Sequence, residues 1–191
     1  MFRDARDGKV YKSVTIGDQV WMAENLNFEA EGSRCYKDNL HPNEAENCEK
    51  YGRLYDWSTA MGLEASYNSA PFDASANHQG ICPAGWHIPS DAEWTTLTNN
   101  IGGLSTAGTK LKDSSVGGTD NYGFSALLGG YVNQNGVSYQ ADSYGFWWST
   151  RTVASGGGAN AYDRNMMKSK SNVRSDPDGK VNSYSVRCLQ D

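Results

Sequence analysis

The sequence predicts a single α+β domain, residues 1–191, in which two helices pack on a twisted antiparallel sheet and long loops join the elements. Two patterns lead to this prediction. A strongly marked helix start lies near the middle of the chain, and short alternating segments separated by turn residues fill its second half. The length also suffices for one substantial core. Because the sequence contains no repeat, heptad or linker, we expect one domain.

The first half is predicted to contain a hairpin, two loops and a short helix. Residues 10–22 alternate as two strands do, with a turn at Gly17-Asp18. Residues 24–47 show little periodicity and predict an ordered loop. Residues 53–63 carry apolar side chains at helical spacing and predict the first helix. Residues 64–80 are polar and predict a second loop.

The second helix is predicted from its start signal. Ser90 lies at an N-cap position and Glu93 follows three residues later, which is the spacing of a capping box. Apolar side chains continue at helical spacing until Gly102-Gly103. We therefore expect a helix from Asp91 to about Asn100. The proline- and glycine-rich approach to it predicts a structural corner and not an active site.

The second half is predicted to form the sheet. Its predicted strands are residues 124–132, 137–140, 146–150, 161–167 and 183–189. Asn135-Gly136 is a favoured hairpin turn. Residues 168–182, rich in Ser, Lys, Asp, Pro and Gly, predict a loop.

The composition excludes some classes of partner and favours others. A formal net charge of −5 argues against nucleic acid or an anionic membrane surface. No run of about 18 apolar residues is present, so we expect no membrane insertion. The chain contains 11 Tyr and 6 Trp, a composition found in adaptable binding surfaces. The same aromatic residues could instead fill an irregular core.

The four cysteines, Cys35, Cys48, Cys82 and Cys188, predict two disulfides. They form no C-x-x-C pair, so zinc binding and thioredoxin-type chemistry are not favoured. An even count in a chain rich in Gly, Ser and Asn is typical of exported proteins. The count alone allows three pairings. Residues 1–10 are charged from the start and do not read as a signal peptide. If the protein is exported, we therefore expect a mature chain or one excised from a longer one.

Several segments resemble one bacterial family. They are Arg6–Tyr11, Ile16–Leu26, Tyr51–Trp57, Cys82–Trp94 and Ser185–Cys188. In this order they resemble the Fibrobacter succinogenes major paralogous domain family over nearly the whole chain. The resemblance implies a C-type lectin-like fold, in which the N- and C-terminal strands pair and a long loop region presents ligands. It also implies a secreted or cell-surface bacterial protein. The family layout favours the disulfides Cys35–Cys48 and Cys82–Cys188.

The lectin-like fold includes sugar-binding proteins, and the residues can be compared with theirs. Calcium-dependent sugar lectins carry Glu-Pro-Asn or Gln-Pro-Asp and then Trp-Asn-Asp. The nearest segments here are Asp176-Pro-Asp178 and Trp148-Ser-Thr150, which match neither. We therefore expect no cofactor. Calcium remains an alternative, at residues 113–120 or at Asp176 with Asp178, because both segments are rich in oxygen ligands.

Enzymes of related fold require residues that this chain lacks. Formylglycine-generating enzymes need two neighbouring cysteines near the C-terminal end, where only Cys188 is present. Iron sulfoxide synthases need a His-x-x-x-His-x-Glu run, whereas His41, His78 and His87 are isolated. We predict a non-catalytic binding module, with an enzyme related to formylglycine-generating enzyme as the least favoured alternative.

A further resemblance is to the variable ligand-binding proteins of diversity-generating retroelements. Those proteins end in an aromatic-Trp-Ser segment, a polar stretch and a closing strand. Phe146–Arg151, Asn160–Asn182 and Tyr184–Cys188 follow the same order. The predicted ligand is a glycan, and the alternative is a protein, bound by an adhesin or by such a variable protein.

The predicted ligand-binding residues lie between Tyr144 and Asp178. Trp147 and Trp148 are adjacent, so in a strand they point to opposite faces. The resemblance implies that Trp148 is in the core, which leaves Trp147 as an exposed aromatic platform. The candidate ligand-binding residues are Tyr144, Trp147, Arg151, Asp163, Asn165, Arg174, Asp176 and Asp178.

Alternation within residues 161–167 supports part of this set. Asp163 and Asn165 share one face of the predicted strand, which we expect to meet the ligand, whereas Arg164 and Met166 share the opposite, core-facing side. Both segments can also be explained without a ligand. The strand face with Asp163 and Asn165 could be an ordinary solvated face, and Asp176-Pro-Asp-Gly179 is also a favourable turn sequence.

Overall fold

A computed structural model describes residues 1–155 and 157–191. The helices are α1 Glu44–Tyr51, α2 Trp57–Ala60, α3 Asp91–Asn100 and α4 Leu104–Leu111, with short 3-10 turns at Ala65–Ser69 and Ser114–Val116. The strands are β1 Phe2–Arg3, β2 Val10–Tyr11, β3 Ser13–Ile16, β4 Gln19–Met22, β5 Leu54–Tyr55, β6 Trp86–His87, β7 Gly129–Val132, β8 Ser138–Ala141, β9 Tyr144–Thr152, β10 Asn160–Met167, β11 Val173–Gly179, β12 Tyr184–Ser185 and β13 Leu189–Gln190. The predicted α+β class is confirmed.

The strands form a central sheet, a smaller sheet of four strands and a two-stranded sheet of β1 and β2. The central sheet has the order β11-β10-β9-β12-β5, and β7 pairs with both β8 and β9. The smaller sheet has the order β3-β4-β13-β6, so Leu189 near the C-terminus pairs with Trp21 near the N-terminus. Most pairs are antiparallel. The expectation of a purely antiparallel sheet is wrong, because β7 and β12 both run parallel to β9.

Two hydrophobic clusters lie on either side of β9. One contains Trp57 and Trp148, and the other contains Trp21, Trp94 and Trp147. All five indole side chains are at most 1% exposed. The aromatic residues of this chain therefore fill much of its interior, which is the alternative to a binding surface that the composition leaves open.

The predicted capping box of α3 is confirmed. Ser90 Oγ accepts from the Glu93 backbone N–H at 3.2 Å, and a Glu93 carboxylate oxygen accepts from the Ser90 backbone N–H at 2.7 Å. The hairpin β3–β4 is confirmed as well, with Gly17 in the left-handed region at its turn.

The predictions for α1, α2 and β11 are partly wrong. Helix α1 lies within and beyond the predicted loop 24–47, and its Asn43 side chain accepts from the Glu46 N–H. The predicted helix 53–63 contains the strand β5 before the short α2. Strand β11 occupies the predicted loop 168–182. In each case pairing or packing with distant residues outweighs weak local preference.

Helix α4 lies outside the two helices that the sequence predicts. Its interior contains Gly108, a residue that lowers helix propensity. A Cβ at this position would collide with the backbone carbonyl of Asn172. Gly108 therefore lets α4 pack closely against the segment before β11, a contact that local propensity does not reveal.

Both predicted disulfides are confirmed. Cys35 pairs with Cys48, 13 residues away, and Cys82 pairs with Cys188, 106 residues away. The first connects the middle of the segment between β4 and α1 to α1 itself. The second connects the corner before β6 to the C-terminal segment.

Candidate functional site

Strand β9 crosses the central sheet, and its side chains alternate between two environments. Trp147 lies on the face that α3 covers, where it shares a buried cluster with Trp94 and Leu97. Tyr144, Phe146 and Trp148 have the opposite parity. They therefore lie together on the second face of the sheet.

The second face is covered at one end and open at the other. Trp148 and Tyr184 are buried, and their rings stack at a centroid distance of 4.3 Å. Further along β9, Phe146 and Tyr144 are half-buried and stack at 5.7 Å with nearly parallel planes. The sheet thus presents aromatic surface to solvent beyond Trp148.

Strands β7 and β8 extend this aromatic surface. The Tyr131 ring stacks on Tyr139 at 5.3 Å and meets Phe146 edge to face at 5.5 Å. Tyr139 is 41% exposed. Neighbouring polar side chains complete the surface, which we call the aromatic–polar face: Tyr131, Tyr139, Tyr144, Phe146, Asn165, Arg174 and Asp176.

The prediction that Trp147 is an exposed platform is wrong. Trp147 is 0% exposed, and its Nε1 donates to Asn25 Oδ1 at 2.8 Å. The prediction that Trp148 is buried is confirmed, and its Nε1 donates to the Tyr55 carbonyl at 2.8 Å. Helices cover one side of β9 and the first hydrophobic cluster covers the other, so neither indole can contact a ligand.

Polar side chains from β10 and β11 lie beside the aromatic rings. Asn165 is paired with Phe146 on one side and with Arg174 on the other. Its Nδ2 donates to Asp163 Oδ1 at 2.9 Å and to Asp176 Oδ2 at 3.0 Å. Arg174 forms an ion pair with Asp176 at 3.0 Å. The predicted residues that the structure brings together on this face are Tyr144, Asn165, Arg174 and Asp176.

Asp163 lies on the predicted side of β10 but is fully buried, so the expectation that it contacts ligand directly is wrong. It is paired with Trp148, beneath the covered end of the face. Burial, together with the neighbouring carboxylates of Asp178 and Asp176, raises the pKa of Asp163 to about 8 against the hydrogen bond from Asn165. The Asp163 carboxyl is therefore mainly protonated at neutral pH.

The segment Asp176–Gly179 lies in β11 and does not form the alternative turn. Pro177 has no N–H, and it is tolerated because β11 is the edge strand of the central sheet. Asp178 accepts from the Tyr184 hydroxyl and from Asn182 Nδ2. These contacts give Asp178 a structural role between β11 and β12.

Arg151 is exposed but lies apart from the other predicted residues. It has the parity of Trp147 and forms an ion pair with Asp91 of α3 at 3.3 Å. Its guanidinium also lies 4.2 Å from the centre of the Tyr162 ring. Arg164, predicted to face the core, is 2% exposed and donates to Asp91 at 2.6 Å. These contacts attach α3 to the sheet.

A cleft of about 340 Å³ opens where the aromatic–polar face meets the β10–β11 turn. We call it the β10–β11 cleft, and its lining residues are Tyr144, Asn165, Met167, Lys170, Asn172 and Arg174. It combines an aromatic wall, two amides and two cationic side chains. Such a mixture of apolar surface and a few polar groups is typical of small-molecule sites.

A calcium site would require several oxygen ligands to lie close together. Among the residues that the structure describes, no group of three or more His, Cys, Asp or Glu side chains is positioned to hold a metal ion. Asp113 accepts from the Ser115 N–H, and Asp120 accepts from the Ser125 N–H and hydroxyl. These carboxylates stabilise local turns.

A second cavity, of about 430 Å³, lies between the N-terminal strands and α1. Lysines line it, but they have partners within the chain. Lys9 Nζ donates to the Asn27 carbonyl, Lys12 pairs with Glu24 at 3.8 Å, and Lys50 Nζ donates to the Tyr51 hydroxyl at 2.6 Å. We therefore favour the β10–β11 cleft, where aromatic surface and predicted residues coincide.

The comparison with known families supports the resemblance in the sequence. The pattern of the Fibrobacter succinogenes major domain matches residues 14–190. The chain belongs to this family. The match includes every strand of the central sheet and the whole aromatic–polar face. No curated protein and no solved structure matches the chain. The argument about function therefore rests on the geometry of the site.

No helix within the described ranges is long and apolar enough to span a membrane.

Sequence reasoning missed several members of the candidate site. Lys170, Asn172, Tyr131 and Tyr139 were not predicted. One signal points to Lys170 in retrospect, since residues 164–175 contain cationic but no acidic side chains. Tyr131 and Tyr139 reach the site through the pairing of β7 with β8 and β9.

Proposed function

We propose that this protein is a non-catalytic carbohydrate-binding module with a C-type lectin-like fold, carried by an exported or cell-surface bacterial protein. The observation that carries the proposal is the aromatic–polar face. Partly exposed rings of Tyr131, Tyr139, Tyr144 and Phe146 lie beside the amide and charged groups of β10 and β11. Aromatic rings pack against the apolar faces of sugars, and amide and carboxylate groups bond their hydroxyls.

The proposed fold has support from chain topology. Strand β13 inserts between β4 and β6, so the two ends of the chain lie in one sheet. The disulfide Cys82–Cys188 ties the same region together. Paired terminal strands are what the resemblance to the C-type lectin-like fold implies. Disulfides persist in oxidising compartments, which supports the proposed export.

A protein ligand is the second candidate. Asn160–Asn182, the polar stretch in the resemblance to retroelement variable proteins, contains the β10–β11 hairpin at the edge of the central sheet. Its exposed side chains include Arg174, Ser175 and Lys170. Mixed aromatic, amide and cationic groups also suit adaptable contacts with proteins. A purely protein-binding role predicts that no saccharide binds this face.

The test is a glycan array followed by titration of the bound saccharides with purified variants. We expect Tyr144→Ala and Tyr139→Ala to weaken binding by about tenfold each, or about 1.4 kcal/mol, because aromatic residues concentrate binding energy. Tyr122→Ala is the matched control, since Tyr122 is 37% exposed and lies outside the face. If all three variants bind the saccharides as tightly as the unmodified protein does, the binding site lies outside the aromatic–polar face.

A further inference from the structure

We propose that the β10–β11 cleft selects acidic saccharides, by holding the carboxylate or sulfate group of a sugar unit between Lys170 and Arg174. This inference rests on the proposed carbohydrate-binding function and specifies its ligand class. It depends on the charge, the shape and the free hydrogen-bonding groups of the cleft.

The charge around the cleft differs in sign from the charge of the whole chain. The formal net charge is −5, yet no acidic residue lies between Asp163 and Asp176. This stretch contains Arg164, Lys168, Lys170 and Arg174. Arg164 is buried against α3, so the charges of the other three dominate the turn. A cationic cleft on an acidic protein attracts an anion locally.

The two cations that line the cleft are available to a ligand. Lys170 is exposed and forms no ion pair with any described residue. Arg174 is paired with Asp176, but its side chain is 57% exposed. An exposed pair of this kind contributes little stability, so a ligand anion can share or replace Asp176. The guanidinium can bind a planar carboxylate through two parallel hydrogen bonds.

The neutral groups of the cleft suit the remainder of a sugar ring. The Tyr144 ring forms an aromatic wall and is held in place by stacking on Phe146. Asn165 is 5% exposed, and its Nδ2 is engaged by Asp163 and Asp176, which fixes the amide. Its Oδ1 receives no hydrogen bond from the described residues and can accept one from a sugar hydroxyl. A cleft of about 340 Å³ has room for one or two sugar units.

The experiment compares matched charged and neutral probes by calorimetric titration. The carboxylate probe is an oligogalacturonate, and its neutral counterpart is the fully methyl-esterified oligomer of equal length. The sulfate probe is a carrageenan oligosaccharide with its desulfated form. We expect at least one acidic probe to bind about tenfold or more tightly than its neutral counterpart, and this advantage to fall as salt concentration rises. Preference for one acid over the other identifies the anion.

Variants then test the two cations. Lys170→Ala and Arg174→Ala should each reduce affinity for the acidic probe by about fivefold to tenfold, and should leave affinity for the neutral probe unchanged. Lys168→Ala is the matched control, because Lys168 lies in the same turn but does not line the cleft. Far-ultraviolet circular dichroism checks that each variant is folded.

The outcomes separate this inference from the proposed function. If acidic and neutral saccharides bind equally, or if Lys170→Ala and Arg174→Ala bind the acid as the unmodified protein does, the anion site is wrong. A loss of neutral-sugar binding in Tyr144→Ala would then still support the carbohydrate-binding face. Absence of binding to every saccharide would overturn both proposals and favour a protein ligand.

Discussion

The indole nitrogens of Trp147 and Trp148 donate in opposite directions from one strand, to Asn25 Oδ1 and to the Tyr55 carbonyl, each at 2.8 Å. Neither ring is more than 1% exposed. Because both faces of β9 are covered at this level, the two rings attach the central sheet to two different parts of the core. On the Trp148 side of β9, the next side chain is that of Phe146, and the partly exposed aromatic surface begins there.

Replacement of either indole should therefore destabilise the protein. We expect Trp147→Ala and Trp148→Ala each to lower the free energy of unfolding by about 3–5 kcal/mol, because each creates a cavity and removes a buried hydrogen bond. Urea denaturation followed by circular dichroism measures the effect. Tyr139→Ala, at an exposed surface position, should change stability by no more than about 0.5 kcal/mol. Full stability of Trp147→Ala would contradict the packing described here.

The two disulfides should contribute unequally. In the chain-entropy model, a bridge closing about 100 residues stabilises by about 4.7 kcal/mol, against about 3 kcal/mol for a loop of about 15 residues. The bridges span 106 and 13 residues, respectively. Paired alanine replacement of Cys82 and Cys188 should thus lower the denaturation midpoint more than that of Cys35 and Cys48. Peptide mapping without reductant checks the pairing. Four free thiols in protein from an oxidising compartment would argue against it.

The capping box of α3 should have a measurable effect on stability. Ser90→Ala removes the acceptor for the Glu93 N–H, and we expect a loss of about 1 kcal/mol in the free energy of unfolding. Thr96→Ala is the control on the same helix, because its exposed hydroxyl bonds only the Ala92 carbonyl. It should be no less stable than the unmodified protein. If Ser90→Ala matches it, Asp91 or the preceding loop caps the helix instead.

Burial of Asp163 should make stability depend on pH. Its folded pKa of about 8 lies above the ordinary value of 3.8, so the folded state binds more protons than the unfolded state between these limits. Stability from this group is accordingly lost as pH rises from about 4 to about 8. Asp163→Asn should remove that loss and be more stable than the unmodified protein at pH 8 by at least about 1.4 kcal/mol, the equivalent of one pKa unit.

Denaturation at several pH values between 4 and 8 tests this expectation. Asp73→Asn makes the same change of net charge at an exposed position and serves as the control. A parallel pH profile for Asp163→Asn and the unmodified protein would show that the Asp163 carboxyl is ionised in the folded state.

Local signals in the sequence were sufficient for several elements. The Ser90–Glu93 spacing marks the start of α3, because both hydrogen bonds form between residues three positions apart. The turn at Gly17-Asp18 and the strands β9 and β10 also follow from short-range chemistry and alternation. The family resemblance supplied the disulfide pairing, which the number of cysteines leaves open.

Long-range contacts decided the remaining elements. Helix α4 depends on the close approach of Gly108 to Asn172, and β11 depends on pairing with β10. Neither contact leaves a strong local pattern. Helix and strand propensities are small, so packing and pairing with distant residues readily override them.

The candidate site shows the same division. Alternation alone places Trp147 and Trp148 on opposite faces and groups Asp163 with Asn165, since successive strand residues point to opposite sides. It does not say how much chain covers each face. Helix α3 and the cluster around Trp57 bury both indoles and Asp163, whereas Tyr144 and Arg174 stay accessible where that cover ends. Exposure is a property of the packed layers, and for this reason only the folded chain separates the accessible residues of the predicted set from the buried ones.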